Sequence, residues 1–139
     1  MKVSKNEILY IYDSSDIQQR EGLIYAKSLR HYETKELDIR HDKITQLQLS
    51  NLAEKLGIKA KKLINVDGEI QLSEVMELDS HDFLDYLSSN LEMLKTPIAV
   101  YHDHALFVES QYELIKEDGI NSRTDVQTSK TLKQRETRD

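Results

Sequence analysis

Cysteine and tryptophan are absent from the 139 residues, and proline occurs once. Without thiols, disulfides, thiolate catalysis, zinc–sulfur sites and iron–sulfur clusters are excluded within this chain. Long apolar runs are missing as well, and none approaches the roughly 20 residues that a membrane-spanning helix needs. The first residues, Met-Lys-Val-Ser-Lys-Asn-Glu, lack the apolar centre of an export signal. The expectation is a cytoplasmic protein that makes no use of a membrane. Positive charge is in short supply, with 19 Lys and Arg against 25 Asp and Glu and a net charge of −6. From Ile120 onward five basic residues face three acidic ones, so this tail carries +2 and the remainder −8. An acidic body repels phosphate backbones, so nucleic acid is not an expected partner.

What is present suits one moderately polar domain with a single core, since 38% of residues are apolar and 32% charged. Ile8, Leu9, Tyr10, Ile11 and Tyr12 form an unbroken apolar and aromatic run, the mark of a buried strand. Asp13-Ser14-Ser15-Asp16 follows, and Ser15 or Asp16 is placed to cap a helix. Gly22, Leu23, Ala26 and Leu29 share one face of that helix. Glycine there weakens the helix by roughly 1 kcal/mol, which close approach to a neighbouring strand would explain. Thr34 to Ile39 reads as a second strand, parallel to the first by the right-handed crossover rule.

Thr45-x-x-Gln48 is a capping box. Leu49, Leu52, Ala53 and Leu56 follow at helical spacing, and Gly57 ends the helix. Lys59 to Ile64 reads as a short helix, and Asn65-Val66-Asp67-Gly68 as a turn. Ser80 is expected to cap a helix that buries Phe83, Leu84, Leu87 and Leu91. Pro97 can open a strand but not sit inside one, which places a strand at Ile98 to Tyr101. His102-Asp103-His104 then turns it into Ala105 to Val108. A last helix is expected over Gln111 to Lys116. Beyond Gly119 the composition is polar and unpatterned, the signature of a disordered tail.

The resulting order, β-α-β, a helical segment, then β-β-α, resembles the arsenate reductase (ArsC) family, including its regulatory Spx branch. Three stretches carry the likeness. The first is Ile11-Tyr12 through the loop to Arg20 and Leu23. The second is Thr45-x-x-x-Leu49-x-x-Leu52-Ala53-x-x-x-Gly57-Ile58 with Leu63-Ile64. The third is Phe83-Leu84-x-x-Leu87-x-x-Asn90 through Leu94-Lys95-Thr96-Pro97-Ile98-Ala99-Val100, ending in Ala105-Leu106. The resemblance implies an α/β fold: a thioredoxin-like four-stranded mixed sheet with a helical insertion. It also implies a cis peptide at Thr96-Pro97. The domain then covers residues 1–118, and residues 119–139 form the tail.

In that family a nucleophilic cysteine follows the first strand, four residues before an arginine. With Arg20 as the arginine, the cysteine position falls on Asp16. The second cysteine of the Spx branch falls on Gln19. Three further arginines surround the reductase oxyanion. Their positions correspond here to Thr96 beside Pro97, to Asn65, and to Val108 or Glu109. A thiolate is needed for reduction and fixed cations for arsenate, and both are missing. The resemblance therefore implies a non-catalytic member, with neither arsenate reductase activity nor a glutathione mixed disulfide, and no cofactor.

The residues themselves offer other chemistry. Asp13 and Asp16 could be an acid–base pair if buried, but both suit turns and caps. Ser14 or Ser15 would need an adjacent base to act as a nucleophile. His102 and His104 share a face in extended backbone and could hold a metal with a third ligand such as His81 or Glu109. A hairpin turn also explains them. Arg20 could contact an anion at the helix N-terminus. Tyr10, Tyr12, Tyr25, Tyr86, Tyr101 and Phe107 are expected in core or half-core positions.

Three readings result. The first is a protein-binding adaptor or regulator, with RNA polymerase as the partner that the Spx branch suggests. The second is an enzyme of another class that uses Asp13, Asp16 and Arg20. The third is a structural or stress protein without a small ligand.

Overall fold

The computed structural model describes residues 1–64, 72–110 and 113–114. The turn expected at Asn65 to Gly68, most of the helix expected at Gln111 to Lys116, and the tail lie outside the described residues. Strand β1 (Glu7–Tyr12) leads through helix α1 (Ile17–Lys27) to β2 (Glu33–Asp38). Helices α2 (Gln46–Leu56), α3 (Leu72–Met76) and α4 (Ser80–Ser88) follow, and then β3 (Ile98–Val100) and β4 (Ala105–Phe107). The sheet order is β2-β1-β3-β4. β1 and β2 are parallel, with Tyr12 opposite Asp38. β3 runs antiparallel to both β1 and β4.

Being central, β1 buries both faces. Alternation sends Ile8, Tyr10 and Tyr12 toward Ala26, Ala99, Tyr101 and Leu114 on the α1 side. Ile11 points the other way, into the larger cluster of Leu49, Leu52, Phe83 and Leu87 under the helical insertion. An unbroken apolar run is what such a strand requires.

Local chemistry sets the helix ends. Thr45 Oγ1 accepts from Gln48 N at 3.1 Å, while Gln48 Oε1 accepts from Thr45 N at 2.9 Å. Gly57 closes α2 in the left-handed region, at φ 73°, a conformation that glycine adopts without a Cβ penalty. Gly22 has a different reason: a Cβ there would run into the Tyr10 hydroxyl. This is the close strand approach that the sequence suggested.

Several elements differ from the sequence reading: β1 and β2 begin one residue earlier, at Glu7 and Glu33, and β3 and β4 end one residue earlier, at Val100 and Phe107. Asp79 rather than Ser80 caps α4, accepting from Asp82 N at 2.8 Å. Adjacent Asp and Ser are both good caps, and only geometry chooses between them. The short helix expected at Lys59 to Ile64 is a 3₁₀ helix over Ala60–Leu63. Ile39 lies just beyond β2, although it is buried. Helix α3, five residues long, has too few periodic positions to be read from sequence.

The insertion returns close to where it left. Ile64 bridges Leu94, and Lys95 N donates to Leu63 O at 2.7 Å. This closure delivers Thr96-Pro97, joined by a cis peptide bond, to the C-terminal end of β1. No described helix is long and apolar enough to cross a membrane.

Candidate functional site

The parallel pairing of β1 and β2 brings their following loops side by side. Asp13 takes a two-pronged contact from Arg40, with Nε to Oδ1 at 2.8 Å and Nη2 to Oδ2 at 2.9 Å. Ser15 adds its N–H at 2.9 Å and its hydroxyl at 2.7 Å, both to Asp13 Oδ1. The Arg40 contact, aided by Ser15, holds the Asp13 carboxyl well below the usual carboxylate range. Such a group is a poor base, so Ser15 gains no activation from it.

Asp38 is the one buried charged residue among those described. Burial pushes its carboxyl up, but hydrogen bonds from Ser14 and Arg40, with His41 nearby, outweigh this and leave it lowered. The N–H groups of Ser14 and Arg40 donate to Asp38 Oδ1 at 3.2 and 3.0 Å. Sequence reasoning missed both Asp38 and Arg40. Their signal was available only through strand register, which sets the end of β2 beside the end of β1.

A cleft of about 520 Å³ opens on the other side of the loop. Its walls are the first turns of α1, Thr96-Pro97, and Phe107 to Ser110, with Tyr10 also in its lining. Asp16 caps α1, accepting from Gln18 N at 2.9 Å and Gln19 N at 3.3 Å. Gln19 ties three segments together. Its Oε1 accepts from Asp13 N at 2.8 Å. Its Nε2 reaches Asp16 Oδ2 at 3.4 Å and Thr96 O at 3.3 Å. Its carbonyl accepts the Tyr10 hydroxyl at 3.2 Å. Burial, with Asp16 and Tyr12 adding to it, pushes the Tyr10 phenol up to about 12, so it stays a neutral donor.

Among the described residues, the charged groups lining the cleft are Asp16, Glu21, Glu109 and Lys95. Lys95 Nζ lies 4.7 Å from the Phe107 ring centre. Carboxylates outnumber the single ammonium, an arrangement that disfavours phosphate or arsenate. Arg20 is exposed and does not line the cleft. Asp13 is turned to Arg40. The three groups required by an alternative enzyme site, Asp13, Asp16 and Arg20, therefore do not converge. Thr96, Pro97, Asp16 and Gln19 do meet around one cleft. Asn65 lies outside the described residues.

The histidines are also dispersed. His102 Nδ1 donates to Val3 O at 2.8 Å, whereas His104 stacks on Tyr101 with ring centres 4.6 Å apart. His81 Nδ1 meets Gln46 Nε2 at 2.7 Å. Among the described residues, no cluster of three or more His, Asp or Glu is placed to hold a metal ion. Of the aromatics, Tyr10, Tyr12 and Tyr101 are buried, while Tyr25 is 47% exposed.

No protein-family model and no curated protein matches the sequence. Solved structures match the fold. An arsenate reductase from Vibrio cholerae superposes with a TM-score of 0.68 at 11% identity, covering 81% of this chain and 98% of that one. A protein from Bacteroides fragilis described as ArsC-family-related gives 0.63 at 17% identity, covering 79% and 97%. A possible arsenate reductase from Streptococcus mutans gives 0.61 at 16% identity, covering 78% and 97%.

Proposed function

Since this chain has the arsenate reductase fold, a thioredoxin-like mixed sheet with inserted helices, we propose that it is a non-catalytic relative of those enzymes. It performs no thiol redox chemistry and acts in the cytoplasm as a protein-binding adaptor or regulator. The observation that carries this reading is Gln19. At a position where the family resemblance places a thiol, its amide is spent on Asp13, Asp16 and Thr96. In this reading the loop is a structural junction. Asp13 and Asp16 are likewise committed, to Arg40 and to the cap of α1.

A protein partner has an apolar surface available. Ile17, Ile24 and Tyr25 of α1 are 61%, 69% and 47% exposed, and Ile17 and Ile24, seven apart, lie along one line of the helix. RNA polymerase, which the Spx branch grips, is the first partner to test. Purified protein should reduce no arsenate in the presence of thiol donors, and turnover that survives removal of contaminants would overturn the non-catalytic reading. Purified RNA polymerase should be retained by the immobilised protein and lost with Ile24→Glu. No retention would remove the polymerase as partner.

A further inference from the structure

The cleft also raises the question of what covers its two free carboxylates. Glu21 stands on the α1 wall and Glu109 on the wall after β4. Both are exposed, and neither enters an ion pair among the described residues. The lining also includes Pro97 and Phe107, which add apolar surface. This combination suits the side chains of lysine and arginine, whose stems pack on apolar surface while their heads seek carboxylates.

The chain itself supplies such side chains. Residues 130–138 hold Lys130, Lys133, Arg135 and Arg138, with Glu136 as the only acid, in a protein whose remaining charge is strongly negative. The last described part of the chain passes the same cleft. Glu109 and Ser110 form part of its wall, and Leu114, fully buried, anchors the chain on the α1 side of the sheet. Fifteen residues lie between Leu114 and Lys130, enough to reach roughly 50 Å when extended. A tether of this kind supplies an effective concentration on the order of millimolar, so even weak charge contacts form in cis.

We propose that the basic segment 130–138 docks into the cleft between Glu21 and Glu109 of its own chain. Lys95, the cation already in the cleft, lies over Phe107 and leaves the lining with an excess of carboxylate. The contact is electrostatic and is weakened by salt. A partner of the cleft must displace the segment first, so occupancy by the tail sets a threshold for binding there.

The experiment compares amide shifts of the full chain with those of a full-length variant carrying Lys130→Gln, Lys133→Gln, Arg135→Gln and Arg138→Gln. At low salt, about one-fifth of the physiological 0.15 M or less, Gln18 to Gly22 and Phe107 to Ser110 should differ between the two proteins. The difference should disappear at high salt. A second full-length variant, Glu21→Gln with Glu109→Gln, should shift the tail amides toward their high-salt positions. Unchanged cleft shifts in the tail variant would overturn the proposal, as would changes confined to another face. Shift differences that grow with protein concentration would place the tail of a second copy in the cleft and would overturn docking in cis.

Discussion

Both faces of the sheet carry apolar clusters, but the helical insertion and the loop end of α1 are held by different forces. Under the helical insertion, Leu49, Leu52, Phe83 and Leu87 are fully buried against Ile11 and Ile98. At the cleft end, α1 and its loop are fastened by hydrogen bonds that the side chains of Asp13, Asp16, Gln19 and Asp38 accept. Burying one large apolar side chain stabilises by about 1.5–3 kcal/mol, whereas a hydrogen bond nets about 0.5–1.5 kcal/mol. Each buried side chain of the insertion therefore contributes more than each hydrogen bond at the cleft end. The cleft end determines shape, and its residues can be exchanged with less damage to the fold. A reductase-like fold without a thiol is consistent with that division.

The largest effect should come from the insertion face. Phe83→Ala removes a fully buried ring and should lower stability by about 3–5 kcal/mol, measured by urea unfolding. A loss below that of the polar substitutions at the cleft end would reverse the comparison.

Gly22→Ala tests the point at which α1 meets the sheet. The added methyl collides with the Tyr10 hydroxyl, and overpacking of this kind costs roughly 1–3 kcal/mol. In a Tyr10→Phe background the colliding oxygen is gone, so the same substitution should cost clearly less. Equal costs in the two backgrounds would mean that the glycine serves something other than this approach.

Those two sites differ in how far the sequence revealed them. Phe83, Leu84 and Leu87 could be read from spacing, and the α2 ends from Thr45, Gln48 and Gly57, because both rest on neighbours within a turn or two. Strand positions could be read from the β1 run and from Pro97, but the pairing of β1 with β3 could not. Gly22 could be suspected of a close approach, but its contact, Tyr10, could not be named. Arg40 meeting Asp13 spans 27 residues and Gln19 meeting Thr96 spans 77. Such bonds follow from strand register and from the closure of the insertion, which no local pattern encodes. The Ser80 cap was misplaced by one residue because Asp79 offers the same chemistry.

Asp38→Ala sharpens the contrast at the polar end. It leaves the Ser14 and Arg40 N–H groups without their acceptor, a cost of about 1–3 kcal/mol. The pH dependence has a defined sign. A carboxyl whose folded pKa is lowered contributes its stability above the unfolded pKa, about 3.9, and loses it as pH falls through the folded value. Asp38 and Asp13 are both lowered. Acid unfolding of the native chain should therefore steepen below about pH 4, and less so in Asp38→Ala. Identical acid profiles would deny Asp38 this role.

The smallest effect is expected at Asp16, where stability and binding are tested together. In a reductase this helix end would favour a thiolate or an oxyanion, because free N–H groups give it partial positive charge. Here the Asp16 carboxylate already accepts Gln18 N and Gln19 N. It satisfies the donors that a phosphate would use, and its charge repels one. Glu21 and Glu109 add to that repulsion, and Lys95 offsets only part of it. Phosphate or arsenate should therefore bind no tighter than millimolar, which corresponds to about 4 kcal/mol or less. Asp16→Ala should cost the helix about 1 kcal/mol as a lost cap. The two quantities then move in opposite directions: the variant is less stable, yet its freed N–H groups tolerate an anion better. Phosphate titration followed at the amides of residues 13–20 measures the binding, and urea unfolding the stability. Saturable micromolar binding by the native chain would show that this helix end binds oxyanions and that Asp16 does not block it.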